Sequence, residues 1–177
     1  MKYFCILFSL YACLSFGASN TKTKKTPPNV LTPTTFNGIA IGASKSAVQA
    51  KGYLCKDERI GDFMTLHECR KDIEFAGEKV ESYATLNDAG SQAIIIGFDT
   101  YFPKDSLSAA QAMFYKFVTA VQAMLGTQQS ADKTPDTYIA LTKFVFPKTS
   151  VSCYLYSDER TKPPRLRCGC EISRNTK

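Results

Sequence analysis

The chain has a single histidine, His67. A histidine-built metal centre is excluded by that alone. The Cys-Gly-Cys run at Cys168 and Cys170 lacks a second close cysteine pair at zinc spacing. Acidic residues are scattered singly over the candidate strands and turns, so no carboxylate pair for glycoside chemistry stands out. The glycine, lysine and serine between Gly38 and Ser46 do not keep the G-x-x-x-x-G-K-[ST] spacing, which excludes a phosphate loop. Past Ser19 no apolar run is long enough to span a bilayer. The expectation is therefore a chain with no cofactor, no metal, no mature transmembrane helix and no convincing catalytic set.

What is present begins with Met1. MKYFCILFSLYACLSFGAS is a positive start, an apolar run and a small-residue end, the pattern of a secretory signal peptide over residues 1–19. Cleavage after Gly17 or after Ser19 fits the small-x-small rule. Two other readings of the same run are an uncleaved anchor and lipidation at Cys13, where Tyr11 makes a poor lipobox. A periplasmic or secreted protein follows, and export argues against nucleic acid as a partner. Residues 20–35 are rich in Lys, Thr and Pro and read as a flexible segment. The remaining 36–174 suit one domain with a real core. Apolar residues make up 44% and charged ones 21%, ordinary globular values. The net charge of +6 fits either an acidic partner or plain solubility charge.

Seven cysteines are encoded. Cys5 and Cys13 fall in the leader, which leaves Cys55, Cys69, Cys153, Cys168 and Cys170. In an oxidising compartment this composition predicts two bridges and one spare thiol. Cys55 and Cys69 would close a charged loop, Lys56 to Asp62, worth on the order of 3 kcal/mol. For the other bridge, a turn centred between Arg160 and Thr161 sets Cys153 opposite Cys168 and leaves Cys170 buried. A two-residue slip would keep every face and exchange Cys168 for Cys170.

The stretch from Phe36 to Cys69 organises the fold. Ile39 and Ile41 alternate with small residues, Gly42 breaks the extension, Ser44 is a good N-cap, and Gly52 sits where a left-handed residue ends a short helix. The pattern Ile39-Ala40-Ile41-Gly42-Ala43-Ser44…Val48…Gly52 resembles the opening of SmpA/OmlA (BamE)-like and beta-lactamase-inhibitor-protein-like domains. That resemblance implies a small exported α+β module, with short helices on an antiparallel sheet, that binds other proteins. It carries over no functional residue.

Beyond Cys69, period-two alternation marks strands around Ile73 to Phe75, Val80 to Leu86 and Ala93 to Phe98, the last apolar enough for the centre of a sheet. Leu107, Ala110, Phe114, Phe117, Val118, Val121 and Leu125 recur at helical spacing. Ser108 with Gln111 offers a capping box, Asp105 or Ser106 another cap, and Gly126 a stop. After a polar loop from Thr127 to Asp136 come strands Tyr138 to Phe146, Val151 to Ser157 and Arg165 to Ile172. The fold class is α+β: two three-stranded antiparallel meanders, with one short and one long helix on one face.

Tyr154 and Tyr156 alternate with Cys153 and Leu155, so they face away from the core, and Arg165 and Arg167 share that face. Tyrosine and arginine together are the stuff of protein-binding hot spots. They can equally form an intramolecular ladder. The functional expectation is a non-enzymatic protein-binding module, of inhibitor or immunity type or an envelope-assembly accessory. The alternative is a small envelope hydrolase using Cys170 or a carboxylate with His67.

Overall fold

Alternation at period two puts an apolar stripe on one side of each strand, and an apolar stripe has to meet a cover. In the computed structural model, which describes residues 31–60, 64–126 and 136–175, that requirement is met by one antiparallel sheet and two helices. The leader 1–19, the lipidation candidate Cys13, the tail up to residue 30 and nearly all of the loop after Gly126 lie outside the described residues. Among the described residues no helix is long and apolar enough to cross a membrane.

A two-stranded hairpin comes first, β1 (Thr35–Phe36) and β2 (Ile39–Ala40). Its turn is Asn37-Gly38, both residues at positive φ (49° and 74°), the backbone that a tight hairpin demands and Asn-Gly tolerates. The hairpin lowers Phe36 into the core. Leu31, which composition places in the flexible segment, is only 2% exposed and packs there too. Pro33 O accepts a hydrogen bond from Thr149 Oγ1 at 2.6 Å. Leu31 and Pro33 are thus held against the domain by one apolar side chain and one satisfied carbonyl.

Helix α1 (Lys45–Ala50) is capped by Ser44, whose Oγ accepts from the Ala47 amide at 3.2 Å. It buries Val48 and ends at Gly52, φ 83°. The chain then runs straight into β3 (Leu54–Ile60), which pairs with β4 (Met64–Phe75). The segment from Lys56 onward is therefore strand, not loop. Its charges reflect an edge position, where one flank of the backbone pairs with β4 and the other has no strand beside it among the described residues. Cys55 and Cys69 lie directly opposite, Cα atoms 3.8 Å apart, and are bridged. β5 (Glu78–Leu86) and β6 (Ala93–Pro103) continue the meander.

Helix α2 (Leu107–Leu125) follows. Ala110, Phe114, Phe117 and Val121 are buried against the sheet, but Leu107 is 40% exposed. The helix begins two residues earlier than a Ser108–Gln111 box would set it: Ser106, the alternative cap, holds the N-cap position without a side-chain cap bond. Gly126 stops it at φ 82°. The chain then crosses to the far edge as β7 (Ala140–Val145) and returns through β8 (Thr149–Asp158) and β9 (Arg165–Arg174). β9 comes to rest beside β6, so the order is β3-β4-β5-β6-β9-β8-β7.

The expected antiparallel sheet of two three-stranded meanders is thus corrected to one of seven strands, with β3 added and β6 paired to β9. Left apart, β6 and β9 would each expose a row of unpaired amides. The seam depends on two glycines. A Cβ on Gly97 would lie 2.4 Å from Cys170 O, and one on Gly169 only 2.2 Å from Phe98 O. On the helix side, Phe36, Phe75, Phe98 and Phe117 form a ring cluster with centroids 4.2–6.0 Å apart. Asn37, Tyr53 and Ser82 satisfy one another in a chain that ends on Gly97 O.

The second bridge corrects the register. Cys153 is bonded to Cys170, and Cys168 is the free, buried thiol. Asp158 pairs with Arg165, so the turn is centred between Thr161 and Lys162. A Cys153–Cys168 register would have brought Pro163 and Pro164 opposite Asp158 and Ser157. Neither proline has an amide to give the ladder. Asp158 instead closes the turn, accepting from the Arg160 amide at 3.1 Å while its backbone carbonyl accepts from Thr161 Oγ1 at 2.8 Å. Burial pushes the Cys168 thiol up to about 12, so it is a small core hydrophobe.

Candidate functional site

The opposite face of the sheet carries no helix among the described residues, yet its centre is not wet. Odd-numbered residues of β5, β6 and β9 point there, joined by the even-numbered ones of β8. Tyr83, Asp99, Tyr154 and Arg167 meet at the seam, where Gly97 and Gly169 leave room above the backbone. Tyr154 is 4% exposed and the Asp99 side chain 0%.

Arg167 is the hub. Its Nε donates to Asp99 Oδ2 at 2.8 Å, its Nη2 donates to the same oxygen, and its Nη1 donates to Tyr156 OH at 2.9 Å. The guanidinium carbon lies 5.5–6.0 Å from the ring centroids of Tyr83, Tyr101, Tyr154 and Tyr156. Tyr154 OH and Tyr83 OH are 3.1 Å apart, and Tyr83 OH donates to Glu171 Oε2 at 3.1 Å. Arg70, paired with Glu68 and Glu81, lies 5.9 Å from the Tyr83 centroid. Each guanidinium is an attractive partner for a ring face, and burial strengthens that attraction.

The electrostatics follow from dryness. Loss of water raises Asp99 above the ordinary carboxylate range, although Arg167 pulls it back. Its Oδ1 is buried without a hydrogen-bond partner among the described residues. Glu171 is raised for the same reason, against the pull of the Tyr83 bond and Arg167. Tyr83 and Tyr154 are driven well above the ordinary phenol value, again by burial first. These phenols stay neutral and serve as donors, so the cluster is a rigid polar-aromatic plate rather than a set of nucleophiles.

Of the four surface residues expected from sequence, Tyr156 and Arg167 are brought into direct contact and Tyr154 stacks beside Tyr156, centroids 5.6 Å apart. Arg165 stands apart at the strand end, exposed and opposite Asp158. Tyr154 and Arg167 look away from the core but are largely consumed by internal contacts. Sequence reasoning missed Tyr83, Asp99, Tyr101 and Glu171. Their alternation was visible, but only the β6–β9 seam puts them beside Arg167. Tyr138 joins at the rim, its ring 5.7 Å from that of Tyr156, and with Thr137, Tyr154, Tyr156, Arg167 and Glu171 it lines a shallow cleft.

Of the hydrolase candidates, Cys170 and His67 do not come together, whereas a carboxylate, Asp57, lies beside His67. Cys170 is in a bridge and has no thiol. His67 shares the helix-side face of β4 with Cys69, across the sheet from Glu171 and Asp99. Its Nδ1 is 2.8 Å from Asp57 Oδ1, which also pairs with Lys45. No group of three or more metal-ligating side chains is found among the described residues. The chain matches no family model, no curated protein and no solved structure.

Proposed function

We propose that this chain is an exported, non-enzymatic protein-binding module, of inhibitor, immunity or envelope-assembly type, that meets its partner with the uncovered face of its sheet. One observation carries the reading. Tyr101, Tyr138 and Tyr156 stand half-exposed around the Arg167–Asp99 pair, whose carboxylate is buried beneath them. Aromatic groups fixed before binding lose little conformational entropy on contact, the property of interface anchors. Arg165, Glu81 and Lys79 supply a charged rim on the same face. Two bridged cysteine pairs support an oxidising compartment. The resemblance of residues 39–52 to BamE-like and inhibitor-like domains points the same way.

Affinity capture from envelope extract, run in parallel with wild type and a Tyr138→Ala/Tyr156→Ala variant, tests the reading. Tyr156→Ala alone should weaken a stoichiometric partner by about 2 kcal/mol, roughly thirtyfold. A partner retained equally by wild type and the double variant would remove the plate from the interface.

A further inference from the structure

The two edges of the sheet differ sharply. β3 reads Leu-Cys-Lys-Asp-Glu-Arg-Ile, four charges in seven residues, and its Asp57 is tied to His67 and Lys45. Charge along an edge is how a strand refuses a further strand. β7 reads Ala-Leu-Thr-Lys-Phe-Val, with one charge, Lys143. Ile139, just before it, and Val145, its last residue, are 43% and 41% exposed. No strand pairs with its outer side among the described residues.

Which β7 amides are unpaired follows from the register. The Phe146 amide donates to Thr149 O at 2.9 Å. Hydrogen-bonded pairs recur every second residue in an antiparallel ladder, so Phe144 and Thr142 also bond to β8, at Val151 and Cys153. Leu141, Lys143 and Val145 therefore direct their N–H and C=O groups outward. The bridge at Cys153 agrees: its amide faces β7, which leaves the non-hydrogen-bonded site with Cys170 that a cross-strand disulfide takes.

We infer that the outer edge of β7 accepts an extended peptide strand from a partner protein, with an acidic side chain set opposite Lys143 and apolar neighbours against Leu141 and Val145. This rests on the protein-binding reading above and adds the partner's local conformation. Three outward backbone donor–acceptor sets at two-residue spacing are matched only by another extended backbone. Lys143, which makes no ion pair among the described residues, fixes the sign of the facing charge. The edge adjoins the plate, since Tyr138 immediately precedes Ile139 and packs on Tyr156.

The test uses the mature protein and two synthetic peptides, acetyl-Val-Thr-Glu-Thr-Val-amide and its counterpart with lysine in place of glutamate, so that the valines, two residues from the central position, share its face and meet Leu141 and Val145. Amide hydrogen exchange is read by NMR. With the glutamate peptide at about ten times its Kd, exchange at Leu141, Lys143 and Val145 should slow about tenfold, with no change at Asp57 on the other edge. Lys143→Pro removes the central outward amide while sparing the β8 bonds and should abolish the slowing. Lys143→Glu, which keeps every backbone group, should reverse the peptide preference. Equal protection by both peptides, protection at Asp57, or none at millimolar glutamate peptide would overturn the proposal. So would slowing that depends on protein concentration without peptide, which would make a second copy of the chain the occupant. Edge protection with failed capture on the tyrosine plate would sink the plate and keep the edge; the opposite result would do the reverse.

Discussion

The two faces of the sheet solve one problem with different chemistry. Under the helices, Phe75, Phe98, Val151, Leu155 and Ile172 are buried by apolar contact with α2 and the N-terminal hairpin. On the other face no described element provides a cover, yet Tyr83, Tyr154 and Asp99 are as dry as the core. There the cover is made from within the sheet itself: tyrosine bodies shield a salt bridge, and the buried Tyr83 and Tyr154 hydroxyls meet each other at 3.1 Å. A helix-covered face tolerates exchange among apolar side chains of similar volume. A self-covered face depends on one charge pair being complete, because neither partner can be left dry alone.

The sharpest break of that contrast is Arg167→Met, which leaves the Asp99 carboxylate buried beside nothing. It should cost about 3–5 kcal/mol at neutral pH by urea unfolding. Asp99→Leu added to Arg167→Met should recover most of that, since a matched apolar pair removes both desolvation costs. Failure of the double variant to recover would mean that the pair is stabilising in itself. On the helix side Phe117→Ala should cost a similar 3–5 kcal/mol, but no second substitution on the open face should restore it.

The seam that both faces share comes next in size. Gly169→Ala would drive a Cβ against Phe98 O and should destabilise by about 3 kcal/mol. A cost below roughly 1 kcal/mol would show that β6 and β9 part easily, and would undo the account of why two meanders fuse.

Acid titration separates two carboxylates of the open face by sign. Asp99 is raised by burial, so between the ordinary 3.8 and its raised native value the folded chain holds the extra proton. Its contribution is full below 3.8 and is lost as pH rises through the native value. Asp158 is lowered, chiefly by its bond to Arg160. Its contribution is present above 3.8 and is lost as pH falls through the depressed value. Asp99→Asn and Asp158→Asn should therefore change the slope of stability against pH in opposite directions. Slopes of the same sign would contradict the burial assigned to Asp99.

The smallest effects belong to single groups that serve one face only. Cys168→Ala should cost about 1 kcal/mol, the loss of a small buried hydrophobe. Alkylation under denaturing, non-reducing conditions should label Cys168 and leave Cys153 and Cys170 unlabelled. A label on Cys170 would restore the register with Cys153 opposite Cys168. Ser44→Ala should cost about 1 kcal/mol through the lost cap on α1.

Much of this was legible residue by residue. Ser44 and Gly52 bound α1 because a cap and a left-handed stop are local chemistry. Ala110, Phe114, Phe117 and Val121 declare a buried helical stripe, and the alternation of Cys153, Tyr154, Leu155 and Tyr156 assigns each to its face. The bridge between Cys55 and Cys69 is local too, spanning one hairpin. What alternation cannot set is which strands meet, because a two-residue slip or a change of neighbour preserves every face. The choice of Cys170 over Cys168 was made by two prolines refusing the ladder across a six-residue turn. The charged run from Lys56 became a strand because β4 lay beside it. Asp99 and Arg167, far apart in the chain, became a pair only when β9 returned to β6 over two glycines. Local preference sets the faces of a strand; only the closed sheet decides what stands next to what.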